Sequence, residues 1–489
     1  VSYTTQVTAE TVTLTGGAGN DTLTGNTGDD VITGGAGKDT LSTGAGGEDH
    51  VDAGAGDDTV IVSNVTKADT IDGGDGTDIL EINTALAYSA VSSTNDAAGI
   101  TGFETLYVNT GLTQDMTGLT GITTLLAGTG DVAKLTEVSG LATVGFYPGA
   151  SAGADLTLAT DGTDDSLVLG LGSDVAQLAS TSTTLDAVEY EKITVSSAGA
   201  DGNSTTITAD ALTELTVVGS KNVTVTLSPD TGVTTLPLTK IDASGATGTV
   251  NVSAASADSG VTVTPGSDAL TVTLGDGADT VTGTAKADNI TTGKGNDTIT
   301  GMGGDDTVNA GDGDDKVTLT DGDNDVTLGA GADTLTAGDA DNTVTNTSGN
   351  STITLGGGTN SVTNTAGNMT VVTGSGVDTI TNTAGNADIT SGAGNDVITL
   401  TAGNSVVDAG AGNDTITAGS GDDTIDGGDG TDTVNISQGS GTYGGTISNV
   451  EVVGATLSAS GTIDLASIAA GTLTVSASDT VGTATIKNA

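Results

Sequence analysis

From Leu274 to Asn435 an aliphatic residue returns every nine positions, at Val281, Ile290 and Ile299 and onward to Ile416, Ile425 and Val434, without one insertion. The residues flanking it are mostly Thr, Asp or Asn. Side chains alternate across an extended chain, so the aliphatic residue turns inward and its two neighbours outward. The rest of each period is rich in Gly, as in LGDGADTVT, TGKGNDTIT and AGDGDDKVT, and Gly supplies the backbone bends of a tight turn. The stretch therefore predicts eighteen nonapeptides, each a Gly-rich turn and a very short strand.

A first array lies near the N-terminus. It reads GGAGNDTLT at 16–24, GNTGDDVIT at 25–33, GGAGKDTLS at 34–42, GAGGEDHVD at 44–52, AGAGDDTVI at 53–61, NVTKADTID at 64–72 and GGDGTDILE at 73–81. Thr43, and Val62 with Ser63, interrupt the register. Residues 82–270 and 436–489 lose the period but keep alternating Thr/Val runs such as LTELTVVGSKNVTVTL, which predict a β-sandwich or an irregular solenoid. The fold class expected is all-β, in four regions: a first roll at 1–81, a Thr/Val-rich β domain at 82–270, a second roll at 271–435 and a terminal β segment at 436–489.

Composition sharpens this. With two Phe, no Trp and 2% aromatic residues, the core must be thin and aliphatic. A net charge of −53, from 63 acidic residues against ten Lys, excludes nucleic acid as a partner and repels itself unless cations neutralise it. Zero Cys excludes a disulfide framework. No run approaches eighteen apolar residues, so no transmembrane insertion is expected. The chain begins at Val1 without Met, as a processed protein or excised fragment would, and no signal peptide pattern is seen.

The Gly-Gly-x-Gly-x-Asp nonapeptide resembles the calcium-binding repeat of RTX proteins. That resemblance implies a parallel β-roll with two nonapeptides per coil and Ca²⁺ between stacked loops, held by the sixth-position Asp and by turn carbonyls. The chemistry agrees, since Ca²⁺ takes six to eight oxygen ligands. In the first array the implied ligands are Asp21, Asp30, Asp39, Asp49, Asp58, Asp69 and Asp78; in the second they are Asp279, Asp288, Asp297, Asp306, Asp315, Asp333, Asp378, Asp396, Asp414, Asp423 and Asp432. Pairing adjacent acidic loops suggests about a dozen ions.

Sorted by side, the second array is uneven. One side runs Asp279, Asp297, Asp315, Asp333, Ser351, Met369, Ala387, Ser405, Asp423, so four consecutive loops lack the carboxylate. Those loops repeat Asn350, Asn368, Asn386 and Asn404 at equal spacing, which suits a stacked amide ladder. The other side runs Asp288, Asp306, Asn324, Asn342, Asn360, Asp378, Asp396, Asp414, Asp432; its middle is expected to be weakened as a metal site rather than abolished. Metal is expected at both ends of this roll. Both arrays close on GGDGTD followed by an apolar-Glu signal, Glu104 and Glu451, with Glu189 as a weaker third echo; these Glu are expected at strand starts or as ligands capping the roll.

Calcium repeats alternating with Thr-rich β segments resemble bacterial surface-layer proteins. This implies type I secretion from a Gram-negative cell, an extracellular cell-surface location, self-association into a lattice, and lipopolysaccharide or another surface protein as an anchoring partner. The rival readings are an enzyme, an adhesin or matrix protein, and an ice-binding solenoid carrying ranked Thr and Asn. One His and no Arg leave little material for a catalytic site, and no H-E-x-x-H zinc motif occurs, so no enzyme activity is expected. His50 falls at an outward strand position, where a solvated role is expected.

Overall fold

The computed structural model describes residues 2–4, 10–66, 68–85, 88–89, 94–95, 99–108, 112–128, 133–146, 153–158, 162–171, 183–199, 202–301, 303–438, 441–457, 461–464, 466, 468–477 and 485–487. Among these residues there is no α-helix. The chain is an all-β solenoid of short parallel strands, divided into two compact units, Val1–Ser256 and Ala257–Ala489. The pair Tyr88–Ser89 with Thr94–Asn95 is antiparallel.

In the second unit each coil is two nonapeptides. One face stacks Thr280 on Thr298, Lys316, Thr334 and Thr352, and the other stacks Asn289 on Thr307, Asp325 and Thr343, always eighteen residues on. The eighth-position residues Val281, Ile290, Ile299, Val308 and Val317 are at most 1% exposed, and they form two aliphatic columns facing each other inside the coil. The glycines explain why the turns stack so closely. At Gly295 φ is +128°, and a Cβ there would lie 1.8 Å from the Gly277 carbonyl oxygen of the preceding coil.

The coil begins one turn earlier than the sequence pattern suggests. Thr262–Thr264 and Leu270–Thr273 pair in register with Thr280–Thr282 and Asn289–Thr291. Val261 and Leu270 stand there at the sixth position, so the absence of Asp hid this turn from a motif search. After Asn435 the strand Thr446–Leu457 continues the parallel stack on Thr433–Gln438, and Ile468–Ala477 follows it.

The first unit shows how the insertions are absorbed. Val31 stacks on Thr13 after eighteen residues, His50 on Val31 after nineteen, and Thr70 on His50 after twenty. The extra residues lengthen turns and leave strand register intact. Beyond residue 82 the same parallel stacking continues with longer turns, as in Thr105 to Thr124 to Thr143, and Lys192 to Glu214 to Lys240. Of the two expectations for this segment, the irregular solenoid is the one observed. Its loops vary in length, which erased the nine-residue signal.

Replacing Ile299 by Ala removes three buried methyl or methylene groups from a column with no room to collapse, at a cost of about 2–5 kcal/mol. Thr298→Ala on the exposed face should cost about 0.5 kcal/mol or less. Urea unfolding in calcium checks the pair.

Candidate calcium sites

Each of the eighteen sixth-position Asp residues is buried, at 0–5% exposure. Their placement is fixed by one recurring bond. Oδ1 accepts the backbone N–H of the sixth residue in the coil before it: Asp39 from Asp21 (2.8 Å), Asp58 from Asp39 (2.7 Å), Asp297 from Asp279 (2.8 Å), Asp315 from Asp297 (2.8 Å) and Asp414 from Asp396 (2.8 Å). Stacked carboxylates are therefore held one strand spacing apart, about 4.8 Å, in two columns per unit.

The second oxygen is the informative one. Oδ2 of Asp39, Asp58, Asp78, Asp279, Asp297, Asp306, Asp315, Asp378, Asp396, Asp414, Asp423 and Asp432 is buried with no hydrogen-bond partner. A buried, unsatisfied carboxylate oxygen is costly, and here the cost recurs in register along each column. The ion pairs made by Lys134, Lys192, Lys240 and Lys294 go to Asp155, Asp164, Glu214, Asp242 and Asp276, none of which is a sixth-position residue. No cluster of three acidic or His side chains converges among the described residues. A cation here would accordingly take its remaining ligands from turn carbonyls, a donor set of hard oxygens that fits Ca²⁺.

Three of the implied ligands differ. Oδ2 of Asp30, Asp69 and Asp288 accepts a backbone N–H of its own loop, from Asn26, Thr66 and Thr284, at 2.6 Å in each case. In these loops Asn26, Val65 and Thr284 replace the second-position Gly, and the altered turn folds its own donor onto the carboxylate. Asp333 is shared, its Oδ2 accepting the Ser351 hydroxyl at 3.3 Å.

The middle of the second roll is built from amides. The Nδ2 of Asn324 donates to Gly322 O (2.8 Å) and to Asn342 Oδ1 (2.9 Å), and that of Asn342 to Ala340 O (3.1 Å) and Asn360 Oδ1 (3.2 Å). An N–H therefore stands where the Asp loops carry an unpartnered oxygen. Asn was expected to weaken these sites; instead its oxygen is already saturated and its nitrogen fills the space. On the other face Asn346, Asn364 and Asn382, all 0% exposed, form a buried ladder with two Nδ2-to-Oδ1 bonds of 2.7 Å. The sequence reading missed this ladder, although Asn at the first position coincides each time with loss of Asp at the sixth. The expected series Asn350, Asn368, Asn386 and Asn404 does stack, but its Oδ1 atoms accept the next coil's backbone N–H, at 2.9–3.2 Å, rather than a neighbouring amide.

Glu104 and Glu451 end the columns. Their Oε2 atoms accept the N–H of Asp78 and Asp432, each at 2.8 Å, taking the place of a further Asp. The third instance is Glu191, whose Oε2 accepts the Asp165 N–H at 2.7 Å; Glu189 bonds Leu158 N–H instead. Phe103, Tyr190 and Val450 are the buried residues preceding these three Glu. His50 is exposed and its Nδ1 meets the Thr70 hydroxyl.

The family description "RTX calcium-binding nonapeptide repeat (4 copies)" matches residues 15–47, 42–62, 66–81, 273–308, 282–317, 318–353, 372–407, 400–434 and 408–442. Comparison with curated proteins gives no match. The chain carries RTX repeats, and these bind Ca²⁺ at multiple sites.

Two outcomes follow. Asp297→Asn keeps the Oδ1 acceptor but replaces the unpartnered oxygen by N–H, so calcium uptake measured by metal analysis should fall by about one to two ions with the fold retained. Without metal, burial pushes Asp49 and Asp279 up to about 7, and Asp78, Asp306, Asp315 and Asp414 up to about 6. These folded-state values lie above the unfolded value of about 3.9, so their contribution to stability is full below that pH and lost as pH rises through 6–7. Far-UV circular dichroism in chelator should show a β signal at pH 5 that falls in part by pH 8, the loss coming from the coils that carry these Asp residues.

Proposed function

We propose that this chain, an array of RTX calcium-binding nonapeptide repeats, is a secreted structural protein of a bacterial surface layer. The observation that carries the reading is the set of buried, unpartnered Asp oxygens stacked in columns within each unit, up to Asp78 in the first and from Asp279 to Asp432 in the second. In a chain carrying −53 charges, coils stiffened by cations at regular intervals have a rigidity that is switched on by extracellular calcium. Such coils suit load-bearing or lattice-forming work. Extracellular placement accords with the repeat class, where calcium is abundant and folding is deferred until export.

The Thr/Val segments continue the parallel stacking of short strands. The shallow hollow around His50 and Thr70 is lined by Asp52, Asp72 and Thr101, side chains of an outward strand face. We assign no catalytic role to it. Self-association into a two-dimensional lattice, with lipopolysaccharide or another surface protein as anchor and a type I system as the export route, completes the proposal.

The test is a calcium titration of chelated protein followed by circular dichroism and electron microscopy of the same samples. Ordered sheets appearing with the β signal support the surface-layer reading. Folding to dispersed monomers would replace it by a calcium-stiffened adhesin.

A further inference from the structure

The amides in the middle of the second roll occupy positions that the flanking coils leave to a cation, and that exchange has a consequence for folding. Over residues 319–390 the sixth positions on one face are Asp333, Ser351, Met369 and Ala387, and on the other Asn324, Asn342, Asn360 and Asp378. No two sixth-position carboxylates are stacked on each other within these four coils. The repulsion that makes the flanking coils depend on metal is therefore absent from the interior of this section.

Apart from Asp378 Oδ2 at the C-terminal edge, which is buried without a partner, the sixth-position polar groups that remain are satisfied internally. On one face the Asn360 Nδ2 continues the column to Asp378 Oδ1 at 3.0 Å, and backbone N–H groups of Asp306, Asn324, Asn342 and Asn360 donate to the next coil's Oδ1 at 2.8–3.3 Å. On the other face the ladder amides donate to turn carbonyls, Asn364 to Gly367 O (3.0 Å) and Asn382 to Gly385 O (2.8 Å), while the one Ser351 hydroxyl proton is shared between Asn346 Oδ1 (3.1 Å) and Asp333 Oδ2 (3.3 Å). Met369 and Ala387, 2% and 3% exposed, put apolar atoms where the neighbouring loops bury a carboxylate. From Asn324 to Met369 amide, hydroxyl and apolar groups stand at the sixth positions except for Asp333, so no stacked pair of carboxylates is offered to Ca²⁺ there.

We propose that residues 319–390 form a metal-independent nucleus that is folded in the calcium-free chain, and that the calcium-dependent coils grow from both of its ends. In a solenoid each coil touches only its neighbours, so a folded section offers a template edge to the next coil on either side. Toward the N-terminus that next coil brings Asp315 against Asp333, and toward the C-terminus Asp396 against Asp378, the first steps at which carboxylates stack. Calcium then controls propagation rather than initiation. The inference concerns folding of the chain and stands whether or not a lattice forms.

Hydrogen exchange read by mass spectrometry on the full chain in chelator at pH 7.5 tests it. Peptides within 319–390 should exchange at least about 100-fold more slowly than unfolded peptide, while 271–315 and 396–435 exchange freely; adding calcium should protect the flanks. Exchange in 319–390 as fast as in the flanks would overturn the proposal. A double variant, Asn342→Asp with Asn360→Asp, supplies the second arm by putting carboxylates back on the column ending at Asp378. It should lose the calcium-free protection of 319–390, recover it in calcium, and take up about two more ions than the parent chain. Unchanged calcium uptake by the folded variant would show that the amides are not standing in for metal, and would equally overturn it.

Discussion

The bond on which the Asp and Asn loops depend runs from the N–H of a sixth-position residue to the side-chain oxygen of the Asp or Asn at the sixth position one coil later. It sets the stacking register, holding donor beneath acceptor whether the coil is eighteen, nineteen or twenty residues long, and it draws a charged or amide group into the interior. Burial of the carboxylate is thus the price of stacking the coils. Everything distinctive about the chain follows from how the other oxygen of that group is then satisfied.

Three solutions coexist. In the consensus loops the second oxygen is left to a cation; in the Asn26, Thr66 and Thr284 loops the turn supplies its own N–H; in the Asn324–Asn360 series the oxygen is exchanged for an amide nitrogen. A reverse ladder on the loop surface adds to each of them. Fifth-position groups such as Asn296, Asp305, Asp323 and Asn395 accept from the following coil, so the coils are tied in both directions. The surface ladder uses solvated groups and is indifferent to which solution the interior adopts.

Much of this was legible in the residues. The inward aliphatic column and outward Thr rows follow from period and alternation alone, and the burial of Val281 through Val434 matches them. The two-sided sorting of the second array located the change of chemistry at Asn324 and Ser351. What could not be read was orientation: sequence names Asn342 as an oxygen donor and a nitrogen donor alike, and only the coil beneath it decides which end enters the site. The turn at Val261 and Leu270 was hidden because its sixth positions are apolar. Glu191 was mistaken for Glu189 because both follow an apolar residue; the strand register, with Lys192 beside Ser166, separates them.

The two-repeat coil also gives the gene a parity rule. Successive nonapeptides lie on opposite faces, so an insertion or loss of eighteen residues leaves every later loop over its former kind of neighbour. A change of nine moves all later loops to the other face. Loops beyond such an event keep one another as neighbours and the mismatch falls at the junction: one repeat inserted between those of Met369 and Asp378 would seat Asp378 on Met369 in place of Asn360. The roll can lengthen or shorten by whole coils with little consequence, while a single repeat gained or lost exchanges the two faces beyond that point and joins unlike columns at the junction.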